Sequence, residues 1–220
     1  MGQYSKVDKP ATQQKYSCPI LQSNRLLLRQ WTDSDLVPFA ALNADPDVMA
    51  YFPAMLSSTE SDRFAASIRS LIQQRGWGLW AVEVTGQAAF IGFVGLHIPT
   101  NNLPCSPCVE IGWRLAKAHW GKGYAPEAAK VALAYAFEEL ELAEVLSFTA
   151  TANQRSESVM KKIGMLNTGK NFKYPDINAE HPLCEHLLYK ITAQEWRQRR
   201  NTGVPPKSEN GSEQLQYYSC

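Results

Sequence analysis

The chain has 220 residues, with 22 Lys and Arg against 21 Asp and Glu and a formal net charge of +1. That length suits one domain or at most two small ones. The charge balance argues against nucleic acid and against an anionic membrane as main partners, because both demand a basic face. Five cysteines in a chain of this size do not fit a secreted disulfide scaffold, and neither a transmembrane run nor a signal-peptide core is visible, so a cytoplasmic location is expected.

Residues 1–22 are polar, contain Pro10 and Pro19, and read as a loose arm. Arg25–Trp31 is a strand candidate. Thr32-Asp33-Ser34-Asp35 follows with a carboxylate three residues after a capping hydroxyl, so a helix is expected from there to about Asn43. Phe64, Ile68, Leu71 and Ile72 recur at helical spacing within Thr59–Gln74. Trp77–Val84 and Ala89–Ile98 are apolar and strand-like, joined around Gly86 as a hairpin, and Cys108–Leu115 is a further strand. Ala125–Leu140 is apolar on most of its surface, which predicts a helix buried on both sides. Val145–Ala150 reads as a strand, Arg155–Ile163 as a short helix ending at Gly164, and Cys184–Ile191 as a last strand. Residues 201–220 are rich in Pro, Ser, Gln and Glu and are expected to be disordered, leaving 23–200 as the folded domain. The order predicts an α+β fold: a mixed, mostly antiparallel central sheet flanked by helices, with one βαβ crossover.

The crossover carries the most informative stretch, His119-Trp120-Gly121-Lys122-Gly123-Tyr124-Ala125-Pro126-Glu127. Two glycines end a loop, and Pro126 fits the first turn of a helix, where the N–H it lacks has no intrahelical partner. A glycine loop at the positive end of a helix dipole is an anion site, most naturally for phosphate. The dinucleotide pattern G-x-G-x-x-G fails, because Pro126 stands at its third glycine. The nucleotide pattern G-x-x-x-x-G-K-S/T fails as well, because no Ser or Thr follows Lys122.

Trp120-Gly121-Lys122-Gly123-Tyr124-Ala125 resembles the acetyl-CoA loop of GNAT-superfamily N-acetyltransferases, R/Q-x-x-G-x-G/A, with Trp120 standing where Arg or Gln is commonest. Val109-Glu110-Ile111-Gly112-Trp113-Arg114-Leu115 is similar to the strand before that loop. Asn153-Gln154-Arg155-Ser156 and Met160-Lys161-Lys162-Ile163-Gly164-Met165 are similar to the motif after the next strand. Arg25-Leu26-Leu27-Leu28-Arg29 with Trp31-Thr32-Asp33-Ser34-Asp35-Leu36 resembles the opening of the RimJ/RimL branch, which acetylates ribosomal-protein N-termini and related amines. The resemblance covers about 25–191. It implies a sheet whose fourth and fifth strands splay apart to admit acetyl-CoA as co-substrate. The backbone of Trp113 and Leu115 is then expected to pair with the pantetheine arm, and the segment from Trp120 through Gly121, Lys122, Gly123 and Tyr124 to Ala125 to hold the pyrophosphate. The Asn153 side chain is expected to bond the pantetheine.

Acetyl transfer needs a neutral amine, a donor for the thioester oxygen, and a proton for the departing thiolate. Glu110 is the candidate general base, through water: it sits mid-strand between apolar neighbours, and alternation sets Glu110, Gly112 and Arg114 on one face. Its other reading is a solvated or Arg-paired strand carboxylate. Many relatives use a tyrosine acid seven residues after the Asn. Here that position is Met160, so Ser156, Tyr124 or water must serve, and Ser156 is the candidate; its competing reading is a helix-start cap. Cys105-x-x-Cys108 with Cys184, His181 and His186 invites zinc, but the second pair lacks the usual spacing, so no metal is expected. The resemblance sets Tyr51-Phe52-Pro53 beside the acceptor cleft. The expected activity is direct acetyl transfer from acetyl-CoA to a primary amine, a protein N-terminus or a small molecule, by a monomer or homodimer. The competing readings are a catalytically weak acyl-CoA-binding or sensor module, and an antibiotic or polyamine acetyltransferase, which a carboxylate-rich cleft would favour.

Overall fold

A computed structural model describes residues 17–202 of the chain. Most of the expected arm and of the expected tail lies outside the described residues. The last two residues of that arm, Leu21–Gln22, form a short strand, β1. There follow β2 (Leu26–Arg29), α1 (Leu36–Asn43), α2 (Ser58–Arg75), β3 (Leu79–Val84), β4 (Ala88–His97) and β5 (Glu110–Leu115). The chain continues through α3 (Tyr124–Glu138), β6 (Glu144–Ala150), α4 (Gln154–Lys162), β7 (Leu166–Asn167), β8 (Phe172–Lys173), β9 (Glu185–Thr192) and α5 (Ala193–Thr202).

The strands form one sheet in the order β1-β2-β3-β4-β5-β6-β9-β7, with β8 also paired to β9. Every pairing is antiparallel except β5 with β6. This is the mixed, mostly antiparallel sheet expected from the sequence. Period-two alternation divides its side chains between two layers. Leu79, Ala81 and Phe93 join Trp31, Phe39, Leu42, Ala65, Ile68 and Ile72 under α1 and α2. Trp80, Val82, Val94, Leu96 and Ile111 pack on the other face against Ala128, Ala129, Ala132 and Leu133 of α3.

Local chemistry explains the α1–α2 layer. The Thr32 capping box is present, but it opens a 3-10 turn, Asp33–Asp35, that leads into α1. Asp35 is buried, and its carboxylate accepts from both Arg29 guanidinium nitrogens (2.8 and 2.9 Å) and from the Thr32 N–H (2.8 Å). α2 begins on a second capping box, Ser57 with Glu60, and ends at Gly76 in the left-handed conformation (φ 81°).

Two features shape the gap between β5 and β6. Glu110 opposite Leu146 is the single paired position between these strands, secured by Leu146 N–H to the Val109 carbonyl and by the Ser147 hydroxyl to the Ile111 carbonyl, both 2.9 Å. On its other side β5 runs alongside β4 from His97–Glu110 to Gly92–Leu115. Gly92 (φ 133°) allows a very close approach there: a Cβ on it would lie 2.1 Å from the Arg114 carbonyl oxygen.

One expectation needs correction. α3 is not buried on both sides: Tyr124, Ala128, Ala129, Ala132, Leu133, Ala136 and Phe137 form one buried face, while Lys130 and Glu138 are exposed. Its many alanines make the flanks apolar without burying them.

Candidate active site

Gly121 and Gly123 both adopt positive φ (74° and 81°), which costs glycine nothing, and Gly123 is the N-cap of α3. This turn aims successive amides the same way. Among the described residues, the backbone N–H groups of Gly121, Lys122, Gly123, Tyr124 and Ala125 have no acceptor, and Pro126 has no N–H. The result is a row of donors at the positive end of a 15-residue helix. Arg25 braces the loop from outside, with its Nη1 donating to the Lys122 carbonyl (3.1 Å) and its Nε to Glu127 (2.7 Å). Glu127 also accepts from the Ser23 hydroxyl (2.8 Å) and the Arg25 N–H (3.1 Å). Burial alone would raise the Glu127 pKa, but these donors hold it below the usual range. A cavity of about 670 Å³ lies beside the loop, lined by Asn24, Arg25, Gly123, Pro126 and Lys130.

Trp120 contributes no free donor here. Its backbone N–H goes to the Lys117 carbonyl (3.1 Å) and its indole N–H to the Leu115 carbonyl (2.7 Å), while Arg155 stacks on its ring at 4.5 Å. The position where Arg or Gln is commonest is therefore filled by a prop between loop and strand.

The loop faces the open edge of β5. Val109 and Ile111 direct their carbonyls toward β6, and Ala116 directs its N–H toward β4, so alternation turns the peptide groups of Trp113 and Leu115 into the gap. The Leu115 carbonyl already accepts from Trp120. On the far side of the gap Asn153 caps α4: its Oδ1 accepts from the Ser156 N–H (3.2 Å), and its Nδ2 donates to the Thr149 and Ser156 hydroxyls (2.9 and 3.1 Å). Both amide protons are engaged, and Oδ1 keeps a lone pair. Asn153, not Ser156, is thus the helix cap. The half-buried Ser156 hydroxyl accepts from Asn153 and retains its own proton to donate, and Met160 is buried.

Glu110, Gly112 and Arg114 occupy the face of β5 turned toward α1 and α2. Glu110 has no hydrogen-bond or ion-pair partner among the described residues, and burial pushes its pKa up to about 8. A Cβ on Gly112 would find only the Glu110 carboxylate, at 3.9 Å, so the floor beside that carboxylate is open. Arg114 donates to the Asn43 Oδ1 (2.6 Å), and Asn43 is oriented by its own bond to Ser61 (2.8 Å). The Arg114 guanidinium lies 4.0 Å from the Phe52 ring and 5.6–5.7 Å from Phe93 and Phe64, and burial pulls its pKa down to about 10. Of the segment Tyr51-Phe52-Pro53, Phe52 borders this face.

Tyr174 was not singled out by the sequence, since it lies in irregular chain after β8. It packs with Phe148 and His186 and accepts from Asn101 Nδ2 (3.0 Å); burial, then the charges of Glu110 and Asp176, push its phenol up. The Cys105 and Cys108 sulfurs lie 3.4 Å apart, and no three His, Cys, Asp or Glu side chains converge on a metal position among the described residues.

A glycine-rich anion loop opening a helix, set against a strand edge freed by a parted parallel pair, defines an acyl-CoA N-acyltransferase architecture. The acetyltransferase (GNAT) domain family profile matches residues 25–166, and the chain belongs to this family of N-acetyltransferases. It is 32% identical over 162 residues to the FsC-acetyl coenzyme A-N(2)-transacetylase of Aspergillus fumigatus, covering 70% of this chain and 68% of that protein. Its fold is similar to that of a GNAT-family acetyltransferase from Bacillus anthracis (TM-score 0.68, 25% identity, 80% of this chain and 99% of that one). It is also similar in fold to spermidine N-acetyltransferase from Vibrio cholerae, solved in complex with CoA and spermine (TM-score 0.62, 22% identity, 80% and 99%).

Proposed function

We propose that this N-acetyltransferase moves the acetyl group of acetyl-CoA directly to a primary amine, as a RimJ/RimL-like enzyme of the cytoplasm. The observation that carries the reading is the row of unengaged amides from Gly121 to Ala125 beside the open edge of β5. The amides receive the pyrophosphate, and the peptide groups of Trp113 and Leu115 pair with the pantetheine arm. Asn153 accepts from a pantetheine N–H through the remaining lone pair of Oδ1. That the fold accommodates CoA is supported by the Vibrio cholerae neighbour's complex.

The amine nitrogen attacks the thioester carbonyl, the carbon–sulfur bond breaks, and the amine's proton leaves through water to Glu110. A carboxylate with a pKa of about 8 is matched to an α-amine at about 7.7–8.0. A lysine amine at about 10.4 would be mismatched by roughly 3 kcal/mol. This favours α-amines, in proteins or small molecules. Ser156 relays a proton from water to the CoA thiolate, taking one from the water as it gives its own, and Glu110 returns the amine's proton to solvent. A polyamine acceptor is disfavoured, because β5 carries Arg114 on the same face as Glu110 and has no second carboxylate of its own.

Thiol detection of CoA release, with acetyl-CoA and a panel of N-terminal peptides, amino acids, polyamines and lysine derivatives, tests the reading. Release with α-amines and little with ε-amines is the expected result. A melting temperature raised by acetyl-CoA without CoA release for any amine would replace it with a non-catalytic acyl-CoA sensor, the reading that Met160 at the usual tyrosine position favours.

A further inference from the structure

The acceptor face of β5 holds a cation with nothing to neutralise it. Arg114 has the neutral Asn43 amide as its hydrogen-bond partner, and three phenylalanine rings surround the guanidinium. Its Nε is shut off from solvent and has no acceptor. No carboxylate forms an ion pair with it among the described residues. Burying a guanidinium with donors unused is unfavourable unless something completes it.

The surroundings say what kind of group that is. Arg114 shares its strand face with Glu110, four residues away or about 13 Å between Cα atoms. Between them Gly112 leaves the floor open. Of the three rings, Phe52 is the nearest to the guanidinium and the most exposed, at 37%, so the least covered side of Arg114 is the one that faces the Tyr51–Pro53 loop. A molecule lying over Gly112 meets a carboxyl at one end and a guanidinium at the other. Neither group has an ion-pair partner among the described residues, and a ligand that carries an amine and an anion offers one to each.

We infer that the acceptor is a primary amine bearing a carboxylate a few bonds away, and that Arg114 is the residue that binds this carboxylate. This deepens the function proposed above and rests on it for the position of the amine. The shared chemistry has two sources: the α-carboxylate of a free amino acid, or the side-chain carboxylate of an acidic first residue in a peptide. Arg recognises either through paired N–H···O bonds, and Asn43, fixed by Ser61, holds the guanidinium in place for them.

The test uses the full chain, acetyl-CoA and matched acceptors in two arms: free amino acids against their carboxamides, and peptides beginning with Glu against peptides beginning with Gln. In one arm the carboxylate member is expected to be at least about tenfold better in kcat/KM, chiefly through KM, which is the range of a charge-assisted contact. Arg114→Gln is expected to bring that ratio close to one while leaving the KM for acetyl-CoA unchanged, and Arg114→Lys to recover part of it. Calorimetric binding of the same acceptors to the wild-type protein gives a readout that needs no turnover. Equal kcat/KM and equal binding for carboxylate and carboxamide in both arms would overturn the assignment even if Arg114→Gln failed to fold. Carboxylate-dependent binding without CoA release would remove the transferase reading and leave the Arg114 assignment standing. Turnover without carboxylate dependence would remove the Arg114 assignment alone.

Discussion

The two halves of the candidate site handle charge in opposite ways. At the glycine loop the charges that brace the turn are matched: Arg25 meets Glu127, Glu127 also takes Ser23, and the backbone presents a row of peptide dipoles to its ligand beside the exposed Lys122. On the β5 face Glu110 and Arg114 are half-buried without counter-ions among the described residues, and desolvation pushes both toward their neutral forms. A site for an anion that is always the same can be built from backbone and held rigid by paired charges. A site that must take up a proton and discriminate among acceptors keeps its charges unmatched until the ligand arrives.

The largest effect is expected at Gly123. Its φ of 81° is hostile to a β-branched residue, so Gly123→Val should misdirect the amides and weaken CoA binding by more than about 100-fold, read by calorimetry. Unchanged affinity would mean that the loop amides are not the donor site. Next in size is Glu110→Gln, expected to lower kcat/KM by about 10²-fold. The wild-type profile should rise with pH through about 8, as the buried carboxyl loses its proton and becomes a base, and the variant should lack that limb. The same substitution has a stability signature of known sign. The folded-state pKa lies above the ordinary 4.5, so the wild-type fold loses stability as pH rises from about 4.5 to about 8. The variant should escape this loss and be more stable at pH 7 by about 1–3 kcal/mol, measured by denaturant titration. A variant with wild-type turnover would show that the unmatched carboxyl is not the base. The smallest effect is expected for Glu127→Ala, which frees Arg25 but leaves the amides in place: CoA affinity should fall by about threefold, because exposed ion pairs contribute little. A loss as large as that for Gly123→Val would mean that the brace, rather than the glycines, sets the loop.

Much of the loop was legible in the sequence because its causes are local: two glycines, a proline at the right offset and an apolar run dictate a turn into a helix. The alternation of Glu110, Gly112 and Arg114 was legible for the same reason. What could not be read is what closes around them. Phe52, Phe64 and Phe93 reach Arg114 from a loop, a helix and a neighbouring strand, and no spacing rule connects them. The indole of Trp120 finds the Leu115 carbonyl only because the chain doubles back through the turn between them. β7 and β8 escape notice because two residues display no period, and each exists by pairing to β9. α5 escapes because Trp196 is its lone large apolar residue in an otherwise polar decamer.

Gly92 carries a consequence for the shape of the cleft. The gap lies between β5 and β6, and on the opposite flank the same end of β5 rests on a residue of β4 that has no side chain. With no side chain at Gly92, the end of β5 lies close against its antiparallel neighbour, while on the other flank its pairing with β6 stops at Glu110. Even one added methyl group would act as a wedge, tilting β5 back across the opening and narrowing the entrance from behind, without altering any atom that faces it.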